Sequence, residues 1–526
     1  MEKRVAIVGA GVSGLLACKY ALEKGFQVNV FEAENTIGGV WAHTIDSTKL
    51  QNIKEAYQFS DFPWPSSVKE IYPSRSQVME YIESYARNFG ISSYIKFNSK
   101  VLSIDYVGEP YEQIESWHLW GGTGKPFGSK GKWHLKVRDV KSCNIEVYQA
   151  EFVILCIGQF SGLPNIPDMP PNQGLQVFNG KVLHFMDYAA MNSSSAEELV
   201  KNKRVAIIGS GKSAMDLAAH CANINGARYP CTMIQRTARW VLPNDNISGI
   251  ALGLLYCNRI SEFSIHKPGE KFLLELLATL LSPLRWGISK LVECYLRWKL
   301  PLKKYGMVPK YSFLQNGFSC QIAALPEIFF NKLEDGSIVI KNSPVFGFCR
   351  EGLFLDNKAR PLETDIVIFA TGFKGDQKLK NIFASPIFQQ YIMGSPTSIL
   401  PLYRQIIPPR IPQLAIIGYA ESLSNLATSE IRCQWLAHFL GENMDLPSVR
   451  EMEKDVKIWD KYIKQNANKY FRRSCIAGVQ IWYNDQLCKD MGCKSRRKKG
   501  MFAELFEPYG AADYACLTAE IPVRIH

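Results

Sequence analysis

Two copies of one local pattern constrain the fold of this 526-residue chain more than any other feature. Each copy is a short apolar strand, a glycine-rich turn and a helix, first at residues 3–25 and again from Arg204. A near-continuous apolar strand is typical of a parallel sheet covered on both faces. A glycine turn that opens a helix brings the helix N-terminus against a phosphate group. The sequence therefore predicts an α/β protein with two dinucleotide-binding, Rossmann-type domains.

The first turn, Gly9-x-Gly11-x-x-Gly14, is followed by an acidic residue, Glu32, at the end of the next strand. Gly9 permits a tight turn, Gly11 lets a pyrophosphate approach the backbone, and Gly14 allows the helix to pack on the strand. A carboxylate at the position of Glu32 accepts hydrogen bonds from ribose hydroxyls that carry no phosphate. We therefore expect FAD at this turn. A glycine pair beyond the strand favours a further close approach to FAD, by Gly39, Val40 and Trp41.

The second turn has alanine, Ala214, in its third place, where only close packing is required. The end of its next strand carries no acid, and Arg236 and Arg239 stand there instead. Arginine replaces the acid where a 2′-phosphate must be accommodated, because its guanidinium can donate two parallel hydrogen bonds. Either arginine could instead be a solvated surface residue. We predict NADPH at this turn, and the residues expected to hold it are Gly209, Gly211, Ser213 and Arg236.

The order of these patterns predicts that the NADPH domain is inserted into a discontinuous FAD domain. Residues 1–190 are expected to form the first part of the FAD domain. Residues 200–335 would be the NADPH domain, in which 245–330 look like a helical insertion, since this stretch is longer than a Rossmann half requires. Residues 336–526 would complete the FAD domain and form a C-terminal region.

Charge and cysteine content narrow the classes of function. The 61 Lys and Arg residues against 49 Asp and Glu give a net charge of +12, which suits phosphorylated cofactors and anionic surfaces. Nucleic-acid binding is not expected, because the basic residues are scattered. The 14 cysteines are irregularly spaced, which is typical of reduced thiols in a cytoplasmic protein. Without a redox-active cysteine pair behind the flavin site, O2 is the expected electron acceptor, and no metal-ligand spacing occurs among the histidines.

One apolar run raises the question of a membrane. Residues Phe272–Leu281 include Glu275 and are followed by Pro283 and Arg285, so the run is shorter than the roughly 20 residues of a spanning helix. The sequence favours a buried or amphipathic helix and no transmembrane segment, while peripheral contact with a membrane such as the endoplasmic reticulum stays open. The basic run Lys494–Lys499 could serve as a nuclear address or a patch for anionic lipid, although such runs are more often solvated surface.

Between the two turns lies the motif Phe178-x-Gly180-x-x-x-His184-x-x-x-Tyr188. It resembles the identifying motif FxGxxxHxxxY/F of the class B flavin-containing monooxygenases. The Baeyer–Villiger monooxygenases are similar but prefer Trp where this chain has Tyr188. Further resemblance to the family, in order and at family spacing, comes from Phe59–Pro63, Phe369–Phe373, Leu402–Arg404 and Pro412–Gly418.

Three stretches resemble most closely the plant defence-associated branch of the family, whose members N-hydroxylate the cyclic amino acid pipecolate. They are Lys49–Gln51, Phe59–Trp64 and Phe506–Tyr514. The resemblance implies that NADPH reduces FAD and that O2 is captured as a C4a-hydroperoxyflavin. That intermediate then oxygenates the nitrogen or sulfur of a small amine or thioether. A Baeyer–Villiger enzyme and a non-catalytic flavin-binding interaction protein are the alternatives.

Two positions carry open questions from the resemblance. Many family members have an asparagine that contacts flavin and nicotinamide, so Asn52 is the candidate catalytic residue. Asn52 lies one residue nearer the Phe59–Pro63 turn than usual, however, and Gln51 occupies the expected spacing. His184 is either a catalytic group or a structural histidine packed in the linker between the domains.

Overall fold

The computed structural model describes residues 3–243, 246–247, 250–356, 360–515 and 517. Two parallel five-stranded sheets dominate it, which confirms the α/β class. In spatial order, the strands of the first sheet are Leu414–Ile416, Phe152–Leu155, Arg4–Val8, Gln27–Phe31 and Ile95–Lys96. The strands of the second sheet are Ile338–Asn342, Cys231–Gln235, Val205–Ile208, Ile366–Phe369 and Lys181–His184.

In chain order, all five strands of the second sheet come after Phe152–Leu155 and before Leu414–Ile416, which are the last two strands of the first sheet. The second sheet extends beyond the 200–335 range expected from the sequence, because its strand Lys181–His184 precedes that range and two others, Ile338–Asn342 and Ile366–Phe369, follow it. An edge strand of four residues has too little periodicity to be recognised from sequence. Residues beyond 517 in the expected 336–526 segment lie outside the described residues.

Each sheet is covered by helices on one face and by a small antiparallel sheet on the other. Side chains alternate between the faces of a strand. In the first sheet, Val5 and Ile7 therefore join a core with the helices Val12–Glu23 and Asn425–Leu440, whereas Ala6 and Val8 pack toward the antiparallel strands. In the second sheet, Val205 and Ile207 likewise pack toward helices, whereas Ala206 and Ile208 pack toward the antiparallel strands. The antiparallel strands are Ser99–Val107, Lys132–Asp139 and Ile145–Ala150 in the first unit, and Phe346–Cys349, Gly352–Leu355 and Leu362–Glu363 in the second.

Many helices surround the sheets. The α-helices are Val12–Glu23, Arg75–Asn88, Tyr111–Ser116, Phe185–Ala189, Ser193–Val200, Lys212–Asn225, Leu252–Tyr256, Arg259–Phe263, Phe272–Lys299, Phe313–Phe318, Phe329–Glu334, Gly375–Asn381, Pro386–Met393, Asn425–Leu440, Val449–Asn466, Gln480–Asp490 and Met501–Phe506. The helix Asn425–Leu440 is buried along nearly its whole length and packs on the helix of the first glycine turn, where Ser13 Oγ donates to Ser429 Oγ at 3.3 Å.

The apolar run at 272–281 does not end before Pro283, contrary to expectation. It continues as one long helix, Phe272–Lys299, of 28 residues. Proline removes one backbone donor from a helix, which leaves the carbonyl four residues earlier without its partner. Here the Ser282 hydroxyl donates to that carbonyl, on Thr279, at 2.8 Å. The helix therefore tolerates the proline and is longer than the sequence suggested.

The sequence favoured a buried or amphipathic helix, and of these two the structure excludes the buried one. Only 11% of the most apolar stretch of the long helix is buried, and many of its large apolar side chains are exposed. Among the described residues, this one helix is long and apolar enough to cross a membrane by length and composition. Its C-terminal half is nevertheless packed on the protein through Val292 and Leu296.

The expectation that all cysteines are reduced thiols is wrong for two of them. Cys320 and Cys475 form a disulfide between residues that are 155 positions apart, with their Cα atoms at 5.9 Å. The bond joins the loop after the helix Phe313–Phe318 to the C-terminal region. Spacing patterns in the sequence cannot show such a pairing, because it depends on two distant segments meeting in the fold.

Candidate active site between the two sheets

Both glycine turns open onto one large cleft. Its volume is about 2450 Å³, whereas ordinary small-molecule pockets measure roughly 300–1,000 Å³. The cleft lies at the carboxyl ends of the strands of both sheets, where ligands bind in open α/β folds. It is therefore large enough to take two dinucleotides together with a small substrate.

The geometry of the first turn fits a bound pyrophosphate. Gly9 has φ +103°, and a Cβ there would lie 2.5 Å from the carbonyl oxygen of Cys156. A Cβ on Gly14 would lie 1.9 Å from the Gly9 carbonyl oxygen, so neither position can carry a side chain. Gly11 and Gly39 face each other, since a Cβ on Gly39 would lie 3.1 Å from the Gly11 Cα. Two bare backbone segments thus line the space in front of the helix N-terminus, which is the place for phosphate oxygens.

The acid at the end of the next strand is held in position by backbone groups. Glu32 accepts hydrogen bonds from Ala10 N at 2.6 Å and from Glu34 N at 3.0 Å. It lines the cleft, so its carboxylate stands where a ribose would lie beyond the pyrophosphate. Val40 is half-exposed at the same edge, and the Trp41 indole donates to Tyr57 Oη at 2.8 Å. Contact of these residues with FAD stays a prediction.

In the second turn, contacts within the protein require glycine at one position but not at the other. Gly209 has φ +150°, and a Cβ there would lie 2.4 Å from the carbonyl oxygen of Ala370. A Cβ on Gly211 would meet no atom of the described residues within 4 Å. Ser213 is exposed on the first helical turn beside it, and both residues line the cleft. Gly211 therefore faces open space, as expected where a cofactor approaches the backbone.

Lys212, at the start of the same helix, is engaged within the protein. It forms an ion pair with the buried carboxylate of Asp216, one helical turn later. The Thr48 hydroxyl donates to the same carboxylate at 3.2 Å. This group ties the segment after the first glycine turn to the helix of the second turn across the cleft.

A cluster of arginines stands on the cleft wall beyond the second turn. Arg236 is exposed and lies over the ring of Tyr470, with its guanidinium carbon 4.6 Å from the ring centroid. Arg239 is half-buried, and burial together with the nearby Arg472 and Arg236 lowers its pKa to about 10. Arg472 forms an ion pair with the buried Glu421. Three guanidiniums and one carboxylate thus meet at a site suited to an anion.

Arg472 and Glu421 were not expected from the sequence. They lie more than 180 residues from Arg239 along the chain, and neither belongs to a recognisable local motif. Glu421 follows the last strand of the first sheet and directly precedes the start of the helix Asn425–Leu440. The tertiary fold alone brings the arginines of the second unit to this edge of the first.

Asn52 and Gln51 both line the cleft, but their side chains are placed differently. The Asn52 amide donates to the carbonyl oxygen of Leu423, while Gln51 is exposed. Leu423 is itself held, because its N–H donates to Gln480 Oε1 at 3.1 Å. Asn52 is therefore fixed beside the N-terminus of the helix Asn425–Leu440. A catalytic role for Asn52 stays a prediction.

The turn Phe59–Pro63 is anchored by a buried carboxylate that the sequence patterns do not reveal. Glu430 accepts hydrogen bonds from Ser60 N at 2.7 Å, from Ser60 Oγ at 2.9 Å and from Tyr20 Oη at 3.0 Å. Burial raises the pKa of Glu430 to about 7. The residue lies on the helix Asn425–Leu440, 370 positions from Ser60, so no local signal could identify it.

The motif histidine has a structural environment. His184 caps the helix Phe185–Ala189 by accepting a backbone N–H at Nδ1, and its Nε2 lies 3.0 Å from the carbonyl oxygen of Gly372. With Nδ1 an acceptor, the proton is on Nε2 and is donated to Gly372. Its ring packs edge-on against Phe373, with centroids 5.1 Å apart. Burial lowers the pKa of His184. Nδ1 thus caps the helix that follows His184, while Nε2 holds the end of the strand Lys181–His184 against the 371–373 segment.

Comparison with known proteins agrees with this construction. Residues 2–499 match the family model described as FMO-like, flavin-binding monooxygenase-like. The chain is 39% identical to Probable flavin-containing monooxygenase 1 of Arabidopsis thaliana, over 98% of this chain and 96% of that protein. It is 36% identical to Putative flavin-containing monooxygenase 2 of the same plant, over 94% and 98%.

Solved structures share the fold at low sequence identity. Oxidized steroid monooxygenase bound to NADP matches with a TM-score of 0.66 and 16% identity, covering 94% of this chain and 98% of that one. S-allyl-L-cysteine S-oxygenase from Allium sativum matches with a TM-score of 0.58 and 17% identity, covering 94% and 89%. The family binds FAD and NADP and oxidises small molecules with O2. The chain belongs to the flavin-containing monooxygenase family and is an NADPH-dependent oxidoreductase.

Proposed function

We propose that this monooxygenase hydroxylates the nitrogen of a small amine that also carries a carboxylate, a cyclic amino acid such as pipecolate being the model substrate. The observation that carries the proposal is the arginine cluster on the cleft wall. Arg239 and Arg472 present two guanidiniums, and Glu421 neutralises one of them. A buried charge without a counter-ion is costly, so an anionic ligand group would be stabilised there.

The two cofactors would divide the cleft between them. FAD would lie over the first turn, against the touching backbones of Gly11 and Gly39, and NADPH would lie over the second, at Gly211 with its 2′-phosphate at Arg236. The unit 181–369 would then be the NADPH domain, inserted into the FAD domain. This arrangement leaves Arg239 and Arg472 beyond the phosphates, beside the 418–425 segment where the first unit closes the cleft.

The protein's own part in the reaction is to bind, orient and exclude water. Bound FAD accepts hydride from NADPH and activates O2, which is the chemistry the cofactor supplies. The bond from Asn52 to Leu423 would fix the amide at the rim of the flavin site. The link between Lys212, Asp216 and Thr48 would hold the two units together around the cofactors. A carboxylate bound at Arg239 would leave the amine nitrogen, which carries the reactive lone pair, to point into the cleft.

The test compares two amines that share a ring and differ in the carboxylate. L-pipecolate and piperidine are each supplied to the FAD-loaded enzyme with NADPH, and products are examined by mass spectrometry for a gain of one oxygen. We expect wild type to hydroxylate pipecolate. Loss of a charged hydrogen bond is worth about 1.5–3 kcal/mol, so Arg239→Met should raise the KM for pipecolate by about 10–100-fold. Turnover of piperidine should change by less than about twofold, because it has no group for Arg239.

A matched control is Arg228→Met, since Arg228 is exposed in the turn that follows the helix Lys212–Asn225, beside Tyr229. It should leave both substrates unaffected. If Arg239→Met raises the KM for NADPH equally with either amine, the cluster binds the cofactor phosphates and the proposed substrate class is wrong. Oxygenation of thioethers without any amine would favour S-oxygenation. Turnover of ketones alone would point to a Baeyer–Villiger enzyme.

A further inference from the structure

The long helix Phe272–Lys299 has two apolar faces. Its inner face packs on the protein through Ala278, Ser289, Val292 and Leu296. The outward residues follow one another at spacings of three, four or seven positions, which places them on a single stripe opposite the inner face. They are Leu273, Leu277, Leu280, Leu284, Leu291 and Trp298, with exposures of 76%, 36%, 69%, 61%, 72% and 81%.

This stripe is too long and too continuous for scattered surface residues. At 1.5 Å per residue, the 28-residue helix is about 42 Å long, and the stripe follows it from Leu273 to Trp298. Trp286 and Phe272 are also exposed, on other sides of the same helix. Contiguous exposed apolar surface marks a binding site for a membrane or another protein. Trp and Leu together are typical of helices that lie at a membrane surface.

Basic residues at the C-terminal end of the stripe indicate the kind of partner that it would bind. From Arg297 to Lys310 the chain carries five basic residues and no acid, and these are Arg297, Lys299, Lys303, Lys304 and Lys310. A second run, Lys494–Lys499, precedes the exposed Met501 and Phe502. The short helix Arg259–Phe263 contacts both the long helix and the helix Met501–Phe506, and Arg259 is ion-paired with Glu504. Apolar side chains flanked by lysine and arginine suit a bilayer with anionic headgroups.

We propose that this enzyme docks on the surface of an anionic membrane through the outward stripe of the long helix, with the flanking basic residues on the lipid headgroups. The helix lies in the interface and does not cross the bilayer. Its C-terminal half is held to the protein by the buried Glu293, which accepts from Phe313 N at 2.9 Å. Spanning would require this bond and the packing of the inner face to be given up.

The test uses the full-length, FAD-loaded protein and vesicle flotation. Vesicles contain phosphatidylcholine alone or phosphatidylcholine with phosphatidylserine. We expect binding to the phosphatidylserine vesicles, weakened by added salt. The variant Leu273→Gln/Leu280→Gln/Leu284→Gln should reduce the bound fraction by about tenfold or more, because apolar burial supplies much of the binding. The matched control, Val107→Gln/Ile145→Gln/Val147→Gln, changes three exposed apolar residues of an antiparallel sheet and should bind as wild type.

Two exposed cysteines provide a second readout. Cys294 lies on the outer side of the long helix, while Cys143 lies in a remote hairpin. An environment-sensitive dye on Cys294 should shift to the blue on vesicle binding, whereas the same dye on Cys143 should not. Failure of wild type to float with anionic vesicles, or flotation of the triple variant equal to wild type, would overturn the proposal. So would a lipid-free dimer that the triple variant dissociates, since the stripe would then bind a second copy. Anaerobic flavin reduction by NADPH should be unchanged in both triple variants, which shows that they are folded.

Discussion

The contrast between Gly209 and Gly211 provides the sharpest test of the second cofactor site. Both glycines belong to one turn, but only Gly209 is packed too closely against the protein to carry a side chain. A Cβ on Gly209 would lie 2.4 Å from the backbone oxygen of Ala370, at φ +150°. A Cβ on Gly211 would meet no described residue within 4 Å, and its φ of −88° is ordinary for alanine. We therefore expect Gly209→Ala to damage the fold and Gly211→Ala to damage only the binding of NADPH.

The magnitudes follow from these contacts. At Gly209 an alanine adds backbone strain of about 1–3 kcal/mol and overpacking of about 1–3 kcal/mol, so the free energy of unfolding should fall by roughly 2–6 kcal/mol. At Gly211 an alanine restricts the unfolded chain, worth about 0.4–1 kcal/mol. The poorer helix cap offsets this gain, because alanine is less favourable than glycine before the first helical residue. The net change should stay within about 1 kcal/mol.

Gly211→Ala, which should hardly change stability, should clearly weaken the binding of NADPH. A methyl group on Gly211 would occupy the place where the pyrophosphate approaches the backbone. We expect an increase of about 10–100-fold in the Kd for NADPH, which corresponds to about 1.4–2.8 kcal/mol. The rate of anaerobic flavin bleaching, measured against NADPH concentration in a stopped-flow instrument, reports this Kd. Thermal unfolding and the flavin content of the purified protein report the fold and the first cofactor site.

Either of two results would refute the reasoning. If Gly211→Ala binds NADPH as wild type does, the pyrophosphate does not pass over this residue and the second turn is not the NADPH site as we describe it. If Gly209→Ala is as stable as wild type, the close contact with Ala370 does not constrain the turn. A Gly211→Ala protein that loses FAD as well would show that the two sites are not separable.

Three further predictions concern stability. Because the pKa of Glu430 is raised to about 7 from 4.5, its contribution to stability is present below about pH 4.5 and is lost as the pH rises through 7. Glu430→Gln cannot ionise, so its unfolding free energy relative to wild type should rise by about 3 kcal/mol between pH 4.5 and 8 in denaturant titrations, and a flat difference would contradict the assigned pKa. Ser282→Ala removes the hydroxyl that satisfies Thr279 and should cost about 1 kcal/mol in thermal unfolding, whereas no loss would mean that water satisfies this carbonyl equally well. Reduction of the Cys320–Cys475 bond should lower stability by about 2–4 kcal/mol, and a non-reducing peptide map showing both thiols free in the oxidised protein would exclude the bond.

The sequence by itself determined the features that depend on neighbouring residues. A phosphate-binding turn needs a strand, a few glycines and a helix start within about 30 residues, so the amino-acid order alone is enough to locate both turns. Glu32 and Arg236 each stand at the end of the strand that follows their turn, where the residue meets the ribose. The acid predicted a ribose without a phosphate, and the arginine predicted a ribose with a 2′-phosphate. The α/β class followed from the repetition of this unit.

Only the tertiary structure decided which distant segments meet. The strand Lys181–His184 is too short to be recognised alone, and it is defined by its pairing with Ile366–Phe369 nearly two hundred residues later. The arginine cluster joins Arg239 to Arg472 and Glu421, which no local pattern connects. These contacts depend on the packing of the second unit against the first.

The long helix shows the same division between local and distant information. Its apolar residues were evident in the sequence and indicated a helix, either buried or amphipathic. Periodicity reveals that a helix has apolar positions, but it does not reveal whether another part of the chain covers them. The sequence therefore determined where the apolar helix begins and where the two glycine turns lie. The tertiary structure decided the width of the second sheet, the composition of the cleft wall and the outward direction of the apolar stripe.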